Sequence, residues 1–412
     1  MKNMSPLLRI SLYNGGVSME LNEMKKQFVK IYGEGEMRVF TSPGRVNLIG
    51  EHIDYCGGCV MPAALTMKTT LIARKRNDDI IRLKATDLDF MVETTVSEMH
   101  NLKDKLKWGD YQIGVMLELM KDGYDICGCD LLYDDTVPHG GGLSSSAAIE
   151  VSTALCFATF SNEKKGIDKE IDMIEMALIS QKAEHNFIGV KCGIMDQFAS
   201  AMGKKDHAVY LNCATLEYEH IPLKLDDCSI VLTNTNVKHS LGNSKYNERR
   251  TECEEGLNAL KTVLPDIKEL ADVTTEQFEE HKDVIKNETT RKRIKHVVYE
   301  CDRVKNSAEA MKNNDITLFG QYMNDSHDSL QYDYEVTCPE LDFIVRMGRN
   351  MDGVLGIRMT GAGFGGCTVA IIKNNVVDKY IERVGTLFEG RFGHKASFYV
   401  TGTGDGGKEI SI

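Results

Sequence analysis

A chain of 412 residues exceeds the length at which one hydrophobic core usually stops growing, so two packed domains with a cleft between them are expected. Hydrophobic residues at 42% and charged residues at 27% exclude a disordered or low-complexity protein. A formal net charge of −12 argues against nucleic acid and anionic membranes as partners and favours a small molecule, with room for a local basic pocket that holds phosphate.

In chain order, residues 1–18 read as a loosely attached leader, since Met4 and Met19 both offer alternative starts. Leu7-Leu8-Arg9-Ile10 is too short for a signal-peptide core, and no apolar run approaches the length of a membrane span. Twelve cysteines are scattered from Cys56 to Cys367 without the dense framework of a small secreted domain, which fits a reducing, cytoplasmic location. The close pairs Cys56/Cys59 and Cys127/Cys129 lack the four matched ligands of structural zinc and read as turn and core thiols.

Three glycine-punctuated segments beside apolar sequence are the candidate site: Ser42 to Gly58, Pro138 to Ala148 and Gly353 to Gly366. The first packs Arg45, Asn47, Glu51, His52 and Asp54 between glycines. A sugar presents hydroxyls that both donate and accept, so a dense set of carboxylates with an imidazole suits its orientation. A polar loop with surface salt bridges is the plainer alternative.

The second segment, Gly140-Gly141-Gly142-Leu143-Ser144-Ser145-Ser146-Ala147-Ala148, precedes Ile149, Val151, Ala154 and Leu155 at helical spacing. Glycines let the backbone approach an anion, the helix start attracts phosphate, and a hydroxyl there suits Mg²⁺. A glycine turn with serine N-caps is the bland alternative. The segment lacks the lysine of a Walker loop; Gly402 to Lys408 nearly supplies one, but Glu409 follows and the chain ends without a helix.

Glu184 closes a predicted helix, and Asp196 follows twelve residues later beyond Gly193. Two such carboxylates can flank one phosphate if the chain turns back, one for Mg²⁺ and one for the alcohol proton. Farther on, Ile230 to Thr233 and Cys367 to Ile372 read as strands. A charged helix from Asn247 to about Val263 reads as a solvated face. An apolar stripe at Ile294, Val297, Val298, Cys301, Val304, Ala308 and Met311 marks another helix, and Val377, Ile381, Val384 and Phe388 a third. Helices and strands mix without regular alternation, which predicts an α+β fold. Gly361-Ala362-Gly363-Phe364-Gly365-Gly366 matches a dinucleotide fingerprint, but the strand-like run after it, where a helix is required, argues against that reading.

Pro138 to Ala148 resembles the ATP-binding signature shared by kinases of galactose, homoserine, mevalonate and phosphomevalonate. Ser42 to Tyr55 is very similar to the galactokinase signature, with Ile53 and Cys56 departing towards the N-acetylgalactosamine kinase branch, and Arg358-Met359-Thr360 with its glycine loop resembles the family's third motif. The resemblance implies a two-domain fold: an N-terminal mixed domain, placed at residues 1–215, and a ferredoxin-like C-terminal domain, placed at 216–412, with the active site in the cleft. It implies phosphorylation of galactose at the anomeric hydroxyl by ATP and Mg²⁺. N-acetylgalactosamine is the alternative acceptor, and a catalytically silent galactose and ATP sensor the non-enzymatic alternative. It assigns Glu51, His52, Asp54, Gly193, Asp196 and Tyr246 to the sugar. Gly140 through Ala147 are assigned to the nucleotide, Ser146 and Glu184 to Mg²⁺, and Asp196 with Arg45 to catalysis. A monomer is expected.

Overall fold

The computed structural model describes residues 19–103, 106–138, 140–237 and 242–411. The leader 1–18, His139 of the serine loop, and Lys238, His239 and Ser240 lie outside the described residues. In chain order the strands are β1 (Arg38–Asn47), β2 (Cys59–Val60), β3 (Pro62–Lys75), β4 (Ile80–Ala85), β5 (Met91–Thr95), β6 (Cys129–Asp135) and β7 (His207–Asn212). They continue with β8 (Tyr218–Pro222), β9 (Cys228–Asn234), β10 (Val354–Thr360), β11 (Cys367–Lys373), β12 (Ser397–Thr401) and β13 (Lys408–Ile410).

Six strands form a sheet in the order β13-β1-β3-β6-β4-β5, antiparallel except where β4 runs parallel to β6. Side chains alternate across it: Phe40, Leu71, Leu131 and Tyr133 point to one face, and Val39, Ile72 and Leu132 to the other. Helices Asp110–Lys121, Ser145–Lys165 and Met173–Ala183 cover the first face, and Met24 and Phe28 of helix Leu21–Tyr32 cover the second. Helix Ser145–Lys165 is buried on nearly all sides for its first four turns, because sheet and neighbouring helices enclose it.

The second sheet has the order β10-β11-β9-β12, wholly antiparallel, with helices between β9 and β10 and helix Val377–Phe392 between β11 and β12. That is the order of a ferredoxin-like unit, and the α+β, two-domain expectation holds. Val231, Ile357, Ala370 and Ile372 meet Ile344, Tyr380 and Phe388 on one face. Ile230, Leu232, Val369 and Ile371 face the opposite way, into a central core shared with Val46, Leu48, Ile49, Val137 and Leu143. The loops that carry the first two glycine motifs are therefore anchored in the core between the two sheets. Residue 215 lies in the turn between the paired strands β7 and β8, and β13 closes back onto β1. Among the described residues no helix is long and apolar enough to cross a membrane.

The charged helix spans Gly242–Lys261 and has the expected solvated face, with Glu248, Glu254 and Glu255 exposed; on its other side Arg249 is buried, donating from Nε to the Tyr334 carbonyl at 2.8 Å and from Nη1 to Glu252 at 2.8 Å.

Helix Ile316–Ser329 lies on β10 at backbone distance. A Cβ on Gly356 would sit 2.5 Å from the backbone of Gly320, and one on Gly320 would sit 2.3 Å from the Leu355 carbonyl oxygen. Gly356→Ala is expected to reduce stability by about 1–3 kcal/mol, as overpacking does. The readout is a lower urea midpoint at constant slope; an unchanged midpoint would show that the close approach is not required.

Candidate active site

The serine loop is pinned between the sheets. The Arg45 N–H donates to the Leu143 carbonyl at 3.0 Å, and Gly44 leaves no room for a Cβ against the same oxygen. On the other side, a Cβ on Gly141 would lie 3.4 Å from Cys367 Sγ, and one on Gly361 would lie 3.1 Å from the Gly142 carbonyl oxygen. The two glycine loops thus meet across the domain seam, and helix Ser145–Lys165 follows directly on the serine loop. Ser144 takes a left-handed conformation (φ 61°) and makes no N-cap bond. Its hydroxyl instead donates to Asp196 at 2.5 Å, which counts against the reading of the serines as simple caps.

Asp196 sits in the first turn of helix Met195–Met202, and Arg45 grips its carboxylate with two parallel bonds, from Nε at 2.8 Å and Nη2 at 2.6 Å. The remaining Arg45 nitrogen, Nη1, donates to the Gly142 carbonyl at 2.6 Å. One guanidinium therefore links the first strand, the serine loop and the carboxylate.

The sugar motif leaves β1 after Asn47 and turns sharply, with Gly50 at φ 97° and His52 at φ 62°. Glu51 is buried and meets Arg358 of β10 at 2.9 Å. Burial pushes the Glu51 carboxyl up against the pull of Arg358. His52 Nε2 donates to the Ala362 carbonyl at 3.1 Å, so Nδ1 accepts from the Tyr55 hydroxyl at 2.9 Å. Burial pushes the His52 ring down to about 3, and the neutral tautomer this requires is the one the bonds impose. Tyr55 in turn bonds Tyr334 at 2.7 Å. Asp54 packs on Gly193 so closely that a Cβ there would overlap its carboxylate, 1.8 Å from Oδ2.

These groups surround one cavity of about 270 Å³. Arg45, Asp196, Ser146 and Glu184 line it, together with Glu51, His52, Asp54, Gly193 and Tyr246. The sequence thus marked nine of its lining residues.

The sequence comparisons agree with this layout. A model described as the galactokinase galactose-binding signature matches residues 26–75, one for the GHMP kinases N terminal domain matches 110–204, and one for the GHMP kinases C terminal domain matches 307–389. The chain is 44% identical to the galactokinase of Bacillus subtilis over 94% of its own length and 98% of that protein. It is also 44% identical to that of Clostridium tetani, over 95% and 98%. The chain belongs to the galactokinase family. A crystal structure of Lactococcus lactis galactokinase complexed with galactose superposes with a TM-score of 0.90 at 39% identity, covering 95% of this chain and all of that one. Methanococcus jannaschii mevalonate kinase, at 19% identity and a TM-score of 0.63, shares the fold.

Ser146 of the serine loop, Gly361 and Ala362 of the third motif, and the carboxylates of Glu184 and Asp196 line the same cavity. Glu184 opens a short π-helix, Glu184–Ile188, rather than simply ending an α-helix, and it is hydrogen-bonded to Ser146, Cys192 and Glu150. Burial, then the nearby Asp196, raises Glu184; burial, then Glu184, raises Glu150. No basic side chain is among the groups acting most strongly on either. Arg358, Tyr55 and Tyr334 escaped assignment from sequence, because Arg358 and Tyr334 reach the motif from more than 270 residues away and an isolated Tyr carries no signal. Ile53 packs on Gly58, and Cys56 is hydrogen-bonded to Cys253; neither side chain lines the cavity.

Burial, followed by repulsion from Asp196 and Glu51, pushes Asp54 up to about 7. A folded-state value above the unfolded one means that the folded protein keeps this proton while the unfolded chain loses it, so stability falls as pH rises from about 4 to about 7. Asp54→Asn should therefore be more stable than the parent, by a margin that widens over that window and stays constant above it. Urea titrations at several pH values would show it; a margin that shrinks with rising pH would contradict it.

Proposed function

We propose that this chain transfers the γ-phosphoryl group of ATP to the anomeric hydroxyl of galactose, giving galactose 1-phosphate and ADP. The observation that carries the reading is the convergence of Arg45, Asp196, Ser146 and Glu184 with the sugar motif on a single cavity. The family's galactose-bound relative supports galactose as the acceptor. Asp196, fixed by Arg45 and Ser144, orients the anomeric hydroxyl and takes its proton, while Arg45 stabilises charge developing on the transferred group. Glu51, Asp54, the Gly193 backbone and Tyr246 bind hydroxyls at the far end, and His52 supplies a wall, since both its ring nitrogens are engaged by protein.

Gly140 to Ala147 bind the nucleotide phosphates through the backbone and the helix start. Mg²⁺ fits Ser146 and Glu184, two hard oxygen donors facing the same cavity, where no basic side chain is among the groups acting most strongly on the buried acids Glu184 and Glu150. A pair of ligands suits an ion that keeps its waters and takes phosphate oxygens. When bound, the ion neutralises phosphate charge. The functional division lies near residue 215, with the serine loop and catalytic carboxylates before it and Tyr246, Arg358 and the third glycine loop after it. All twelve cysteines are free thiols, in keeping with a reducing cytoplasm. The monomer expected from the sequence is kept as part of this proposal.

N-acetylgalactosamine is the competing acceptor, raised by Ile53 and Cys56, but neither departure reaches the cavity. Incubation with galactose, ATP and Mg²⁺ should give a product whose phosphorus NMR signal is that of an anomeric phosphate, with glucose a poor substrate because its inverted C4 hydroxyl leaves buried polar groups unpaired. Asp196→Asn should lower kcat by about 10²–10⁴, and Glu184→Gln should raise the Mg²⁺ concentration needed for half-maximal rate. A 6-phosphate product, or glucose used as readily as galactose, would overturn the reading.

A further inference from the structure

We propose that His296 and Glu300, on the helix Glu288–Lys312, are positioning residues for sugar recognition, holding the Gly50–Glu51 backbone in the shape that presents Glu51, His52 and Asp54 to the cavity. The inference rests on the reading of that cavity as the sugar site.

The turn they hold does not stabilise itself. Gly50 and His52, both with left-handed φ, bracket Glu51, and for His52, which carries a Cβ, that conformation is strained. Strain of this kind persists only where surrounding bonds over-determine the backbone. Besides the Tyr55 bond to His52 within the motif, two such bonds come from helix Glu288–Lys312. The Gly50 N–H donates to Glu300 Oε1 at 3.0 Å, and the Glu51 carbonyl accepts from His296 Nε2 at 3.0 Å. Both side chains are fully buried, and neither lines the cavity.

Each is itself held in one orientation. The Glu51 carbonyl can only accept, so His296 carries its proton on Nε2, and Nδ1 accepts from the Ser329 hydroxyl at 2.9 Å. Burial pushes the ring down to about 4, which keeps it neutral and able to donate on one side and accept on the other. Its ring also lies 4.5 Å from that of Tyr334, the partner of Tyr55. Glu300 Oε1 additionally takes the Ser326 hydroxyl at 2.6 Å, and Oε2 takes Arg303 Nε at 2.7 Å. Burial would raise the Glu300 carboxyl, but Arg303, His296 and Arg358 bring it down to about 2, so a full acceptor faces the Gly50 N–H.

The spacing explains why one helix can do this. Residues four apart lie on one helix face, and His296 and Glu300 interrupt the apolar stripe of Ile294, Val297, Val298 and Val304 on the side turned to the motif. An apolar pair would fill the same volume, but it would leave the Gly50 N–H and Glu51 carbonyl buried without partners.

The test is steady-state kinetics on three variants of the full chain. His296→Leu removes the donor to the Glu51 carbonyl, Glu300→Ala removes the acceptor for Gly50, and Ser329→Ala only loosens the imidazole. Galactose KM should rise about 10–100-fold in the first two and less in the third, with ATP KM within about twofold of the parent. His296→Gln, which keeps an N–H for the carbonyl, should recover part of the loss. If Glu300→Ala does not fold, His296→Leu and Ser329→Ala decide. An unchanged galactose KM in folded variants, or equal rises in both KM values, would overturn the inference. A parent protein that does not phosphorylate galactose would instead overturn the reading of the site.

Discussion

The ion pair between Glu51 and Arg358 is the interaction on which the site depends. Arg358 sits mid-strand in the second sheet, wholly buried, and reaches across the seam to Glu51 with one nitrogen and to the Asn47 carbonyl with another, both at 2.9 Å. A pair like this adds little net stability, since desolvating both charges offsets most of their attraction, but removing one partner strands the other in the core. Its value is positional. It fixes a loop that leaves the first sheet by a residue that belongs to the second, so the sugar pocket exists only where the two are docked.

The phosphate side follows the same logic with backbone in place of charge. A Cβ on Gly361 would lie 3.1 Å from the Gly142 carbonyl oxygen and one on Gly141 3.4 Å from Cys367 Sγ, and Arg45 ties that contact to Asp196. Sugar loop and serine loop are thus held by atoms from both halves, and Arg45 couples Asp196 to them. The apolar core beneath them is continuous, running from Val46 and Ile49 through Leu143 to Leu232 and Val369.

Much of the site was legible in the sequence because its chemistry is dense and local. Arg45, Glu51, His52 and Asp54 fall within ten residues, and the glycine–serine run is continuous, so type and spacing pointed to sugar and phosphate. What could not be read is what reaches in from a distance. Arg358 sat inside a recognised motif with no sign of its partner, and Tyr334 lies in a π-helical turn, Leu330–Tyr334, that no periodicity announces. The apolar stripe predicted helix Glu288–Lys312 well, yet its buried His296 and Glu300 were invisible to a pattern that counts only apolar positions. The charge run after Asn247 does form a solvated face, as composition indicated, but composition could not show that Arg249 turns inward to cap the carbonyl of Tyr334. Strands β9 and β11 were the easiest to place, since both are buried on both faces and read as near-continuous runs rich in β-branched residues.

The central claim is that galactose recognition depends on a residue of the opposite domain that does not touch the sugar. Calorimetric titration of galactose into Arg358→Met, with ATP binding measured on the same preparation, tests it most directly. The account predicts that galactose binding is lost or weakened at least about tenfold while nucleotide affinity is retained. Galactose affinity equal to that of the parent protein, in a folded variant, would contradict it.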